Sequence, residues 1–347
     1  MDVADFDFHL PPELIAQEAP ERGTSRLLVL HRQTGRVEHT SFARLGDYLA
    51  PDDLLVLNDT KVFPARLLGH RVPSGGAVEC LLVGRTTEGA WTALVHPGQK
   101  LKPGARFACS RNGVTVHGEI LGRHFNGRRT VTLWTDGDMA LDAAIDRVGH
   151  IPLPPYIHRE DRDSDRERYQ TVFAAHRGSI AAPTAGLHFT PDLLDALGRR
   201  GIRTTTITLH VGYGTFKPVR VDRVEDHAVD PEAFTVTEEA AAALSSARSS
   251  GRRILAVGTT TVRTLESLSV SPEGRVAPGS GETSLFIHPG HQFTLVRGLV
   301  TNFHLPRSSL LMLVSAFGGR EHVLAAYKEA VVQGYRFYSY GDAMLIL

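Results

Sequence analysis

Short apolar runs closed by turn residues set the rhythm at both ends of this chain. Arg26-Leu-Leu-Val-Leu30 precedes a turn at Gln33-Thr-Gly-Arg36, Pro51-Asp-Asp53 leads into Leu54-Leu-Val-Leu57, and Ile254-Leu-Ala-Val257 opens onto Gly258. Runs of this length without polar alternation predict buried strands. Ile202 to Val211 reads as a further strand. Helices interleave with these strands. Thr190 caps a helix over 191–200, with Pro191 at its first position, Asp192 at the positive end of its dipole and Gly201 at its stop. Thr237 caps an alanine-rich helix that ends near Gly251. A capped apolar helix starts at Ser308 or Ser309, and an amphipathic one spans 321–333 with Val323, Leu324, Tyr327, Ala330 and Val331 on one face. Leu10 to Gln17 predicts a short helix entered through prolines.

Between Leu67 and Gly149 the texture changes. Turn dipeptides recur at Gly75-Gly76, Glu88-Gly89, Pro97-Gly98, Pro103-Gly104, Asn112-Gly113, Asn126-Gly127 and Asp136-Gly137, with short strand-like runs between them. Such spacing predicts a small antiparallel β-barrel or sandwich. The expected fold is α+β: a large mixed α/β domain made of residues 1–66 and 150–347, interrupted by a smaller β-barrel domain at 67–149. The charge-dense segment 159–168 alternates in sign and predicts a solvated face.

Composition narrows the function classes. The 347 residues carry 38 basic and 38 acidic side chains, so no global field draws in a polyanion and any such partner needs a local basic patch. Cys80 and Cys109 match no metal or redox spacing, which with an acidic, signal-free N-terminus predicts a reducing cytoplasm. The longest apolar stretch, Leu310 to Phe317, fits a buried helix and is far short of a membrane span.

Candidate chemistry gathers in loops. Ser179-Ile-Ala-Ala-Pro-Thr-Ala-Gly-Leu-His-Phe-Thr190 is rich in small residues that let backbone approach a ligand, and it carries His188. Gly258-Thr-Thr-Thr-Val-Arg263 follows a buried strand and starts a helix, a geometry that points backbone N–H groups at an anion or nucleotide. With Thr215, Arg263 and Asn302-Phe-His304, these loops would form a polar pocket if strand ends bring them together. Among 17 histidines, His188 and His304 stand out because small residues and turns surround them. His227 sits among Glu225, Asp226, Asp230 and Glu232, a neighbourhood expected to raise its pKa. Lys61 and Arg66, beside Asn58-Asp-Thr60, are either phosphate contacts or solvated charges. The chain lacks the dinucleotide and lysine-bearing phosphate loops, the serine elbow, His-Glu-x-x-His and Cys-x-x-Cys. These residues point to an enzyme acting on a nucleotide-like ligand, with no metal.

The chain also resembles a known family. Arg26-Leu-Leu28, Asn58-Asp-Thr-Lys-Val-Phe-Pro-Ala-Arg66, Pro152-Leu-Pro-Pro-Tyr-Ile157, Tyr169-Gln-Thr-Val-Phe173 and Ala181-Ala-Pro-Thr-Ala-Gly-Leu-His-Phe189 form the first part of the match. Thr208-Leu-His-Val-Gly212, Gly214-Thr-Phe216, Val257-Gly-Thr-Thr-Thr-Val-Arg263, Thr301-Asn-Phe-His-Leu-Pro306, Leu311-Met-Leu-Val-Ser-Ala-Phe317, Tyr335-Arg-Phe337 and Gly341-Asp-Ala-Met344 complete it. In this order they resemble the S-adenosylmethionine:tRNA ribosyltransferase-isomerase family of queuosine biosynthesis. The resemblance implies transfer and isomerisation of the ribosyl moiety of S-adenosylmethionine onto a 7-aminomethyl-7-deazaguanine (preQ1) base at the tRNA wobble position, giving epoxyqueuosine with loss of adenine and methionine. S-adenosylmethionine would be a cosubstrate, with no prosthetic group, and the partner would be tRNA.

Under this reading His188 and His227 are the expected proton handlers, with Asp342 a third. Thr184, Gly186, Gly258, Thr259, Thr260, Arg263, Asn302 and His304 are expected to bind substrate, Arg263 by holding the methionine carboxylate or the ribose hydroxyls. Phe303 and Tyr338 either stack on a base or pack in the core. Arg26, Lys61 and Arg66 are the tRNA-backbone candidates, and a monomer is expected. One segment departs from the family pattern His-x-Met-His-x-Glu, for this chain reads His227-Ala-Val-Asp-Pro-Glu232. That departure admits a tRNA-binding homologue without catalysis as an alternative; a methyltransferase is another.

Overall fold

Leu54, Leu55, Val56 and Leu57 are all buried, but they feed two different cores. Leu54 and Val56 join one core; Leu55 and Leu57 point to the opposite one. The same alternation holds for Leu28 and Leu30 against Leu27 and Val29, and for Ile254 and Ala256 against Leu255 and Val257. Successive strand side chains point to opposite faces, so an unbroken apolar run is what a strand covered on both sides requires.

The computed structural model describes the backbone of residues 1–347 and every side chain except those of Asn126 and Phe216; these two side chains, one in a predicted turn and one in a family motif, lie outside the described residues. The chain begins with β1 (Arg26–His31), β2 (Arg36–Ser41), β3 (Leu54–Asn58) and β4 (Thr60–Val62). A second group follows: β5 (Arg66–Val72), β6 (Ala77–Arg85), β7 (Trp91–His96), β8 (Arg106–Arg111), β9 (Val114–Arg123) and β10 (Arg128–Thr135). Then come α1 (Leu141–Val148), α2 (Asp165–Arg168), β11 (His176–Ser179), α3 (Pro191–Arg199), β12 (Arg203–Leu209), β13 (Glu232–Val236), α4 (Glu238–Ser249), β14 (Ile254–Val257) and α5 (Thr259–Ser267). The chain closes with β15 (Gly279–Thr283), β16 (Gly298–Asn302), α6 (Ser309–Gly318), α7 (Arg320–Val332) and β17 (Ala343–Ile346).

Nine strands form one mixed sheet in the order β15-β13-β12-β3-β14-β16-β17-β1-β2. β12, β3, β14 and β16 are parallel, whereas β17 and β1 run the other way. One end of the sheet therefore collects the C-termini of four central strands and the N-termini of β17 and β1. In β5 to β10 every strand has two antiparallel neighbours, so the pairing closes on itself. The chain enters and leaves this ring at one place, where Arg66 and His150 exchange backbone hydrogen bonds of 3.2 and 2.9 Å. Gly149 is required there, because a Cβ would lie 1.9 Å from the Pro64 carbonyl oxygen.

The predicted caps are present: Thr190, Thr237 and Ser308 each accept a hydrogen bond from a backbone N–H of the first turn. Three expectations need correction. The helix over 10–17 shrinks to a single 3-10 turn, Pro12–Leu14, since two prolines remove donors that a longer helix needs. Helix α1 was missed inside a stretch read as all β; its Ala144, Ile145 and Val148 pack into the ring's core. The charged segment is not simply a solvated face, because Asp165 is buried and takes two hydrogen bonds from Arg159, at 2.7 and 2.8 Å, and a third from Tyr340 at 3.0 Å.

Candidate active site

Asn58, at the end of β3, knots the strand ends together. Its side-chain amide donates to the Leu209 carbonyl at 3.0 Å and its Oδ1 accepts from the Leu209 N–H at 3.0 Å, satisfying backbone where β12 stops. Beside it β14 runs into α5 through Gly258, whose φ of +92° is a conformation that L side chains rarely adopt. This turn aims the first, unpaired N–H groups of α5 toward the same end of the sheet.

A cavity of about 540 Å³ opens there, at the carboxyl ends of the parallel strands where α/β sheets bind ligands. Its wall combines the small-residue segment Ala181 to Ala185, the turn Gly258 to Thr260, Thr301, Asn302 and His304 from the end of β16, and Tyr156, Tyr169, Tyr338 and Ser339. Tyr338 has a φ of +75°, a strained state for a residue with a side chain. Its ring meets the edge of Tyr156 at 3.8 Å between centroids, and its phenol is pushed up to about 12 by burial.

His304 is buried, with Nε2 2.9 Å from the Thr301 hydroxyl, and burial lowers its pKa to about 3. His188 is buried one layer behind. Its Nδ1 lies 2.8 Å from the Ser25 hydroxyl and its Nε2 3.1 Å from the Asn302 side-chain nitrogen. Burial, the largest influence, holds its pKa down at about 4, against the opposing charge of Asp342. Both imidazoles are therefore neutral near pH 7. His188 lines a second cavity of about 290 Å³ with Arg22, Arg168 and Ser25, and Ser339 borders both. A third, of about 400 Å³, adjoins the first through Thr215 and Leu310 and is lined by Asp230, Glu232 and Arg263.

Of the predicted site residues, Thr184, Gly258, Thr259, Thr260, Asn302, His304 and Tyr338 meet at the large cavity, together with Thr215. Others fall elsewhere. Gly186 packs against Thr171 and Phe173. Arg263 is turned inward: its guanidinium pairs with buried Glu232 and donates to the carbonyls of Leu285 and Thr283 at 3.0 and 3.2 Å, which engages all three of its nitrogens. Phe303 is wholly buried against Tyr327, Tyr335 and Phe337, which makes it a core residue and not a stacking platform. Asp342 accepts the backbone N–H groups of Arg26 and Arg336, each at 2.9 Å, and so fixes how β1 and β17 begin.

The expected rise in the His227 pKa is reversed. Glu225 pairs with the N-terminal amine and Asp230 with Arg128 and Lys217, so their charges are spent elsewhere. The half-buried ring lies edge-on to Phe286 and its pKa is lowered by burial. Two of the three tRNA candidates are also engaged. Arg66 makes a bidentate pair with Glu79 at 2.8 and 3.1 Å. Arg26 stacks on Tyr335 and donates to the carbonyls of Gln333 and Gly334 at the end of α7. Lys61 is exposed on β4. Residues that sequence reasoning missed are Ser25, Tyr156 and Ser339; Ser25 directly precedes the Arg26-Leu-Leu motif, the one signal that singled out its neighbourhood.

Known proteins match this chain over its full length. The sequence profile of the queuosine biosynthesis protein family matches residues 3–346. S-adenosylmethionine:tRNA ribosyltransferase-isomerases from Heliobacterium modesticaldum and Anaeromyxobacter are 52% and 53% identical, over 100% of this chain and 100% and 99% of theirs. The crystal structure of an S-adenosylmethionine tRNA ribosyltransferase from Thermotoga maritima aligns with a TM-score of 0.56 at 42% identity, covering 99% of this chain and 100% of that one.

Proposed function

This chain belongs to the queuosine biosynthesis protein family, as an S-adenosylmethionine:tRNA ribosyltransferase-isomerase, and from that premise we propose the reaction run in its large cavity. The ribosyl group of S-adenosylmethionine passes to the aminomethyl nitrogen of a preQ1 base at the tRNA wobble position and is isomerised, giving epoxyqueuosine with release of adenine and methionine. The observation that carries this reading is the cavity at the sheet's carboxyl end, where the start of α5, Asn302 and a buried neutral imidazole face one space.

The chemistry requires a proton to leave the carbon beside the sulfonium, so an unprotonated base must come within reach of that carbon. His304 is the imidazole in the cavity wall; with its pKa lowered to about 3 by burial it stays neutral and serves as a hydrogen-bonding group, a weak base for this step. The N–H groups at the start of α5 suit an anionic or hydroxyl-bearing part of the cosubstrate. Lys61, exposed and outside any ion pair among the described residues, remains a contact for the tRNA backbone.

The test is a product assay with S-adenosylmethionine and tRNA carrying preQ1, followed by mass spectrometry. Adenine appearing one-for-one with epoxyqueuosine is expected. S-adenosylhomocysteine in place of adenine and methionine would sink the proposal, and bound tRNA with no turnover would favour a catalytically silent homologue.

A further inference from the structure

Asn302 is 2% exposed, and one of its two polar atoms has no partner. Its side-chain nitrogen is 3.1 Å from the Tyr338 carbonyl oxygen and 3.1 Å from His188 Nε2. A carbonyl can only accept, so the amide must turn its NH₂ toward Tyr338; a flip would set two oxygens against each other. With one hydrogen given to Tyr338, the other points at His188 Nε2, which must then be an acceptor. The imidazole proton therefore sits on Nδ1 and is donated to the Ser25 hydroxyl at 2.8 Å. The chain of bonds is self-consistent and leaves one atom over: Asn302 Oδ1, a buried acceptor in the wall of the large cavity. An unpaired buried acceptor is costly and calls for a donor.

We propose that Asn302 is the specificity-determining acceptor of this cavity, and that Ser25 and His188 are positioning residues that hold its amide so that Oδ1 receives an N–H or O–H group of the bound cosubstrate. The proposal rests on the reading of the cavity as the S-adenosylmethionine site. It assigns His188 a role through Asn302 and not in proton transfer. The strained Tyr338 backbone belongs to the same device, since its carbonyl fixes which way the amide faces.

The donors the cosubstrate offers are the ribose hydroxyls, the adenine amine and the methionine ammonium, and ligand analogues separate these. S-adenosylhomocysteine and its variants lacking the 2′-hydroxyl, lacking the 3′-hydroxyl, carrying oxygen in place of the 6-amino group, or lacking the α-amino group would be measured as inhibitors at saturating tRNA. For the unaltered protein, one variant should bind about tenfold or more weakly than the parent, the loss expected for an acceptor left unpaired. Asn302→Leu should bind the parent as weakly as that variant and lose the discrimination. Equal inhibition by all five compounds, or discrimination surviving in Asn302→Leu, would overturn the proposal.

A second arm tests His188. His188→Gln offers an oxygen to Asn302 and an N–H to Ser25, so it should restore KM and kcat to within about threefold, whereas His188→Phe should raise KM for S-adenosylmethionine. A His188→Gln protein with normal KM and abolished kcat would show that the imidazole moves a proton, and the positioning role would be wrong. If the unaltered protein neither turns over nor is inhibited, the fault lies in the reading of the cavity.

Discussion

Two histidine segments of similar promise in the sequence occupy opposite situations in the fold. His188 ends a run of small residues and lies wholly inside, with both ring nitrogens bonded and its pKa held low by burial. His227 opens a charged segment at the seam between the sheet and the ring, half-buried against Phe286. Within that second segment it is the last residue, Glu232, that reaches the interior: it pairs with Arg263, accepts the Gly212 N–H at 2.8 Å and lies 3.3 Å from the Thr215 hydroxyl. Asp230, where the family pattern has histidine, faces Arg128 of the ring and Lys217 at 2.8 and 2.7 Å. A motif's most reactive residue type is thus no guide to which member lies in the interior. Packing decides that, and here it selects the glutamate.

The largest effect should come from the interior member. Arg263→Met leaves Glu232 charged and unpaired, and should cost about 3–5 kcal/mol in denaturant-measured stability; a loss below 1 kcal/mol would mean that the pair is not a structural hub. Acid should reveal the next contrast. His188 and His304 have folded-state pKa values of about 4 and about 3, below the ordinary histidine value, so the unfolded chain binds more protons and stability falls as pH drops from about 6.5 toward those values. Going from pH 6.5 to 5 should cost about 1.6 kcal/mol per buried imidazole. Melting curves that do not move across that range would contradict the burial of both rings.

Asp230 should matter far less. Its pairs are partly exposed, so Asp230→Ala should cost no more than about 1 kcal/mol. Turnover of that variant within about threefold of the unaltered enzyme would place the segment's charge outside the chemistry, while complete loss would bring the seam into the mechanism. Smallest of all is Lys61→Ala, expected to weaken tRNA binding a few-fold and to lower the salt slope by about one. An unchanged slope would remove β4 from the tRNA surface.

The strands that carry this site were legible because their signal is local. Four apolar residues between turns mark a doubly covered strand, and Thr190, Thr237 and Ser308 mark helix starts wherever they fold. The cavity's walls were legible for a related reason: small residues and Gly258 are placed for close backbone approach, and they did converge. What could not be read was the direction in which long polar side chains turn. Arg263 and Arg26 find a carboxylate or carbonyl far away in sequence, Arg66 finds Glu79 on the neighbouring strand, and Phe303 finds three aromatics in the core. Ser25 was invisible for the same reason, since its importance lies in a partner 163 residues away.

The hydrogen-bond chain from Ser25 to Asn302 turns on the protonation state of one ring, His188. Nitrogen-15 NMR of the histidine side chains, with His188 identified through His188→Gln, reads it directly. A neutral ring protonated on Nδ1 throughout pH 5.5 to 8 is expected. A ring protonated on Nε2, or an imidazolium near neutral pH, would contradict it, because either would put a hydrogen where Asn302 already points its own.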